Sequence, residues 1–292
     1  MSKAPPNANV NGRGPAGHGP PAAPRRRTPW PLAVVAVLFV VVPFLTWYWT
    51  WFGRSLSDEE IAKYLSEGSP RHAQHALSQI AEAFDKGDAA AGRWDAQVVG
   101  SASSASTDVR MTAAWAMGVE HRSEAFHAAL LRLVEDPEPI VRRNAALALV
   151  RFGDPRCRPE LLAMLRPYSV VAPSEGTAET ALTAGSNVKR ETLLVRYRIK
   201  PNATEEIRSP LPGVIEKALI KDGEDWQAGA ELFVLAPDDE QARDALIGLS
   251  YFGEAGDLPE VERFAAGVKS DAIKRQAALT AEAIRRRSAQ HR

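Results

Sequence analysis

Four of the six histidines and the single cysteine are the side chains best suited to chemistry in this chain. His72 and His75 lie three positions apart, with His121 and His127 further along. A zinc-type site needs at least three ligands, each oriented by a partner of its own. A pair on a polar, helix-starting segment falls short of that and reads as surface histidines. Cys157 sits in "DPRCRPE", where flanking arginines could lower its pKa. No pattern typical of a cysteine nucleophile surrounds it. There is no phosphate-binding Gly-rich loop, no G-x-S-x-G and no H-E-x-x-H. "NAT" at Asn202 matches a glycosylation acceptor, which matters only in a eukaryotic secretory pathway. These residues point to no enzyme, no metal and no cofactor.

The bulk numbers agree with a binding rather than a nucleic-acid role. Lys+Arg and Asp+Glu are both 36, so the formal charge is zero. A nucleic-acid footprint needs a strongly basic domain or face. Hydrophobic residues are 45% and charged residues 25% of the 292, as in an ordinary globular chain. One cysteine excludes an intramolecular disulfide.

The elements that must position any site begin with a leader. Residues 1–28 are rich in Pro, Gly, Asn and Ala and hold almost no large apolar side chains. Such a segment cannot offset chain entropy by burial, so disorder is expected. Residues 29–53 follow as "PWPLAVVAVLFVVVPFLTWYWTWFG". An uncharged run of about 22 positions is long enough to cross a bilayer as a helix. Trp30 at one end and Trp47, Tyr48, Trp49 and Trp51 at the other would form the interfacial belts. "RRR" precedes the run and acids follow it, which predicts a cytoplasmic N-terminus and an extracytoplasmic remainder. A cleaved signal peptide would have a shorter apolar core ending in small residues.

Past residue 53 the chain repeats itself. Val109, Arg110, Ala113, Ala114 and Met117 map onto Val141, Arg142, Ala145, Ala146 and Leu149. The shift is about 32 positions, the period of a stacked helical repeat. Ala245, Leu249 and Gly253 continue the series, as do Ile273, Lys274, Ala277 and Ala278, and a weaker copy includes Ala76, Leu77 and Ile80. The spacing places small residues on one helical face, where two helices can approach closely. Asp-Pro pairs at 136–137 and 154–155 mark turns between helices. The pattern resembles HEAT repeats, which implies paired helices stacked into a short solenoid.

A different duplication interrupts the helices. Pro173, Gly176, Glu179, Ala181 and Leu182 fall on Pro210, Gly213, Glu216, Ala218 and Leu219. After one inserted residue, Gly185, Val188, Leu194 and Val195 fall on Gly223, Trp226, Leu232 and Phe233. Each half reads as strand, Pro-x-x-Gly turn, strand, Gly turn, strand. Positive φ is expected at the turn glycines Gly176, Gly185, Gly213 and Gly223. Neither half could bury its apolar face alone, so the two should pack into one small flattened barrel. "RSPLPGVIEKALIKDGEDWQAGAELFVL" resembles the biotinyl/lipoyl-type barrel-sandwich domain, whose half-motif also occurs in periplasmic membrane-fusion (HlyD-like) adaptors. In carrier members of that family a hairpin lysine between the halves takes biotin or lipoate. The counterpart here is Lys200, followed by Pro201 and without the usual Met or Asp neighbours. The join between the halves is too short for the coiled-coil hairpin of the adaptors.

The sequence therefore predicts an α + β multidomain chain. It comprises a disordered cytoplasmic tail (1–28), a single transmembrane helix (29–53), HEAT-like repeats (55–166), an inserted lipoyl-like all-β barrel-sandwich domain (168–237), and further repeats with a basic tail (238–292). The predicted function is a membrane-anchored, non-catalytic interaction scaffold, single-pass in the inner membrane with its bulk periplasmic. Expected partners are other membrane or envelope proteins and the bilayer through residues 29–53, with no nucleic acid. The alternatives are a periplasmic adaptor of an efflux or secretion system and a biotin or lipoyl carrier using Lys200.

Overall fold

A computed structural model describes residues 34–35, 37–44, 55–199 and 203–290. The chain separates into one compact unit ending at Ser55 and a second from Leu56 to Arg292. In the first unit a helix, α1, is described over residues 34–35 and 37–44, with its apolar side chains exposed. This overturns the expected fold class and location in one respect. Among the described residues no helix is long and apolar enough to cross a membrane. The described positions of α1 would extend about 16 Å, half of the ~30 Å hydrocarbon core. The predicted span over 29–53 and the inner-membrane placement built on it are accordingly set aside. Trp30, Trp47, Tyr48, Trp49, Trp51 and the 1–28 tail lie outside the described residues.

The second unit is α + β. Its helices are α2 (Asp58–Ser66), α3 (Pro70–Asp85), α4 (Asp95–Ser101), α5 (Thr107–Val119), α6 (Glu124–Leu133), α7 (Pro139–Arg151), α8 (Arg158–Ala163), α9 (Asp239–Phe252), α10 (Leu258–Gly267) and α11 (Asp271–Gln290). Local chemistry sets their starts. Ser57 and Glu60 form a reciprocal capping box on α2, Pro70 and Pro139 open α3 and α7, and the Asp238 carboxylate caps α9 by accepting from the Gln241 amide.

The alanine faces explain how these helices stack. Helix α5 packs on α3 and α7, α9 packs on α7 and α8, and α11 packs on α9. Ala113, Ala145, Ala245 and Ala277 are all buried at equivalent repeat positions. Gly118 lies so close to α7 that a Cβ there would sit 2.7 Å from the Ala148 methyl. Gly248 does the same against Leu161, where a Cβ would come within 2.7 Å of Cδ1. One apolar core runs from Ile61 through Leu149, Leu161 and Met164 to Ala242, Leu249 and Ile284, joining helices on both sides of the strands.

The strands fall between α8 and α9: β1 (Tyr168–Val171), β2 (Gly176–Ala181), β3 (Asn187–Val188), β4 (Leu193–Ile199), β5 (Ala203–Arg208), β6 (Gly213–Ala218), β7 (Asp225–Trp226) and β8 (Glu231–Ala236). They form two antiparallel four-stranded sheets, ordered β1-β8-β6-β3 and β5-β4-β2-β7. Replacing each strand of the first half by its equivalent in the second converts one sheet order into the other. Each sheet therefore takes two strands from each half. The hydrogen bonds repeat the exchange: Gly185 N donates to Ile215 O, and Gly223 N donates to Ala178 O. The bulges repeat too, between Ala178 and Thr180 in β2 and between Ile215 and Lys217 in β6. The second bulge is the reason the apolar alternation of "VIEKALI" breaks after Ile215, since an extra residue flips the side-chain order. The module has its own core, in which Leu194, Tyr197, Ile215 and Phe233 are nearly solvent-free.

Candidate interaction surface

The turn glycines divide into two kinds. Gly185 and Gly223 have φ of 87° and 83°, as a left-handed turn position requires. Gly176 and Gly213 do not; they open β2 and β6. Their requirement is space. A Cβ on Gly176 would run into the Tyr197 ring, and one on Gly213 into the Ala236 carbonyl. The room beside Gly176 lets Tyr197 pack against Trp226, with ring centroids 5.1 Å apart. Trp226, the bulky residue of the second half, is buried and donates from Nε1 to Ser174 O at 2.9 Å. Lys200 and Asn202 lie outside the described residues.

The histidines pair around two aromatic rings, His72 and His75 at Tyr64 and His121 and His127 at Phe152. His72 pairs with Glu67 and stacks on Tyr64, with centroids 4.3 Å apart. His127 Nε2 meets Asp154 at 2.7 Å and stacks on Phe152. Among the described residues no group of three or more His, Cys, Asp or Glu side chains could hold a metal ion. Cys157 behaves opposite to the reading of its flanking arginines. It is fully buried, and burial together with the Asp154 charge pushes its thiol up to about 12. Arg156 and Arg158 turn instead to Asp154 and Asp257. A thiol in that state is a packing residue, not a nucleophile.

What the polar groups do is lock the helices in register. Arg110 donates bidentately to Asp136 at 2.7 and 3.0 Å. Arg142 donates to the carbonyls of Asp136 and Pro137 at 2.8 and 2.9 Å and to Glu160 at 3.2 Å. Asp154 accepts from the Arg156 amide at 2.9 Å and from its guanidinium. Hydrogen bonding to Arg156 holds its carboxyl far below the usual range. Arg158 bridges residues 99 apart, donating to both oxygens of Asp257 at 2.7 and 2.9 Å. This last pair ties α8 to the turn before α10 across the whole strand insertion. Arg143, 4% exposed, sits at the root of that insertion and donates to Gln241. Burial lowers its pKa to about 10, against the opposing pull of Glu160, Asp238 and Tyr168. At the far end of β3, Arg190 pairs with Asp108 in the first turn of α5.

The residues that face out in a repeating way are apolar. The alignment that sets Ala113 on Ala145, Ala245 and Ala277 also sets Trp115 on Leu147, Ile247 and Leu279. Trp115, Ile247 and Leu279 are 45%, 37% and 61% exposed, and Leu147 is half-buried. One turn past Ile247, Tyr251 is 64% exposed. The repeat spacing singles out the seam alanines, which are buried, and not the outward position two residues later. The signal was in the same alignment: a large apolar residue in all four copies, at the position facing away from the seam.

The family comparison bears on this surface. Residues 98–172 match the family model of HEAT repeats, well under half of the chain. Those residues include α5, α6, α7 and α8 and the Arg110–Asp136 pair. No curated protein matches the chain.

Proposed function

We propose that this chain is a non-catalytic protein-interaction scaffold in which helical repeats (55–166 and 238–292) and an inserted β module (168–237) offer separate contact surfaces. The observation that carries the reading is the repeated outward row of Trp115, Leu147, Ile247 and Leu279 on helices that include a HEAT match. Stacked repeats characteristically use such extended surfaces to bind other proteins. The likeness of the module to the biotinyl/lipoyl barrel-sandwich is part of this reading, supported by the exchange of strands between its halves. The exporter-adaptor alternative rested on the spanning helix together with the duplicated halves, and without that helix it is not carried forward. The carrier alternative rests on Lys200 alone; an anti-biotin and anti-lipoate blot of the purified chain is expected to be blank, and a band would reinstate it.

The direct test is isolation of the tagged full chain from its native cells, with in vivo crosslinking, followed by mass measurement in solution. A stoichiometric protein partner is expected. A chain that isolates alone under every extraction condition would contradict the scaffold reading.

A further inference from the structure

We infer that the row Trp115, Leu147, Ile247 and Leu279 seats an acidic amphipathic helix of a protein partner. This rests on the scaffold reading and adds the surface and the chemistry that fits it. In the copies on α5, α7 and α9 the residues immediately before and after the outward position are buried. The row thus has one position on each of four helices that pack in sequence, exposed at Trp115, Ile247 and Leu279 and half-buried at Leu147, with Tyr251 adding a second exposed ring on α9. Apolar surface organised in a line across several elements marks an interaction site, unlike the scattered exposed leucines of an ordinary surface.

The spacing suits an α-helical partner and not an extended β-strand. Neighbouring packed helices lie about 8–10 Å apart, so the row has a step of that size. In an α-helix, residues seven apart are separated by about 10.5 Å and point the same way. In an extended strand the matching interval is about three residues, an odd number, and alternate contacts would point away. The width agrees as well. Arg243 and Arg275 lie one turn before Ile247 and Leu279, and Arg151 lies one turn after Leu147. The two flanks are therefore roughly two helical turns apart, about 11 Å, close to the diameter of a helix with its side chains.

Charge selects the partner's sign. Within one turn of the row lie Arg151, Arg243 and Arg275, all exposed, against the carboxylates of Asp244 and Glu282. Asp244 lies 3.8 Å from Arg243, a loose pair that leaves the guanidinium open to a second acceptor. Arg151 reaches the Gly118 carbonyl at 3.4 Å, a long bond easily exchanged. The excess of cations favours carboxylates on the incoming helix.

The test is fluorescence-anisotropy titration of the full chain. The probe is a synthetic amphipathic helix with leucine at every seventh position and glutamates flanking the seam. Controls are the same peptide with lysine for glutamate, and a proline-rich peptide, since polyproline helices also repeat at roughly 9 Å. The acidic peptide is expected to bind the wild type and to weaken at least about tenfold on I247S/L279S, the loss of two apolar anchors. The double charge reversal R243E/R275E should shift preference to the lysine peptide. Both variants change exposed side chains, and an unchanged thermal melt verifies the fold. Equal binding of the two charge forms, tighter binding of the proline-rich peptide, or no binding at all would overturn the inference. A native partner retained by I247S/L279S would remove the row as its seat while leaving the scaffold reading in place.

Discussion

The helical repeats and the β module are both products of duplication, yet they use it in opposite ways. In the helices each copy leans on its neighbour through small residues, Gly118 on Ala148 and Gly248 on Leu161. The series can therefore be interrupted and resumed, and α8 and α9 share one core although the strands intervene. In the module the two halves trade strands, so that neither sheet belongs to one half. Helical copies add along a line, as nearest-neighbour stacks do. The halves of the module share both sheets and stand or fall together.

That contrast can be broken most forcefully in the module. Gly213→Val would drive a side chain into the Ala236 carbonyl between β6 and β8. We expect a loss of about 3 kcal/mol or more, confined to residues 168–237 and read by hydrogen-exchange mass spectrometry. Collapse of helical protection at the same time would show that the two regions are one cooperative unit. Next in size is Asp257→Ala, which removes the bidentate acceptor of Arg158 and the acceptor of the Glu254 amide, and leaves Glu254 at 2.8 Å as the remaining partner of Arg158 across the insertion. It should cost the helices about 2–3 kcal/mol in a urea titration followed by circular dichroism, and leave the module's exchange unchanged. Gly118→Ala, with its Cβ against Ala148, should cost about 1–2 kcal/mol in the same titration. A neutral or stabilising result would mean the α5–α7 seam can widen freely.

Acid sharpens the comparison further. Hydrogen bonds from Arg110, Arg156 and Arg158 leave Asp136, Asp154 and Asp257 with depressed pKa values, despite the opposing effect of burial. Depressed carboxylates contribute stability above their unfolded pKa of about 3.9, and that contribution disappears as pH falls through the folded values. The helices should therefore weaken progressively below about pH 4. In the module, Glu206 is held low by Arg196 and Arg208 on an exposed face, so the smaller response is expected there. Melts across pH 2 to 6 that lose both regions in parallel would contradict this assignment.

How far the sequence could be read follows from the range of each interaction. The V-R-x-x-A-A spacing and the duplication of strands are periodic, and periodicity survives in one dimension. The two-residue strands β3 and β7 are too short to carry a periodic signal, so in the sequence they are indistinguishable from the turns beside them. Gly176 and Gly213 looked like turn residues because glycine has two uses, and the clash that decides between them comes from Tyr197 and Ala236, both more than 20 positions away. The direction of the Cys157 pKa shift is hidden in the sequence for the same reason. The neighbours of Cys157 in sequence are arginines, but their charges are spent on Asp154 and on Asp257 far along the chain. The apolar run at 29–53 satisfied a length criterion that the described helix does not meet.

Native-state hydrogen exchange of the full chain tests the central claim most directly. If the helices form one stack that passes the module by, residues 98–166 and 239–290 should share their slowest-exchanging class, with protection that responds together to urea, while 168–237 opens with its own urea dependence. If α9, α10 and α11 instead exchange in step with the strands and independently of α5 and α7, the helices are not one stack, and the account is wrong.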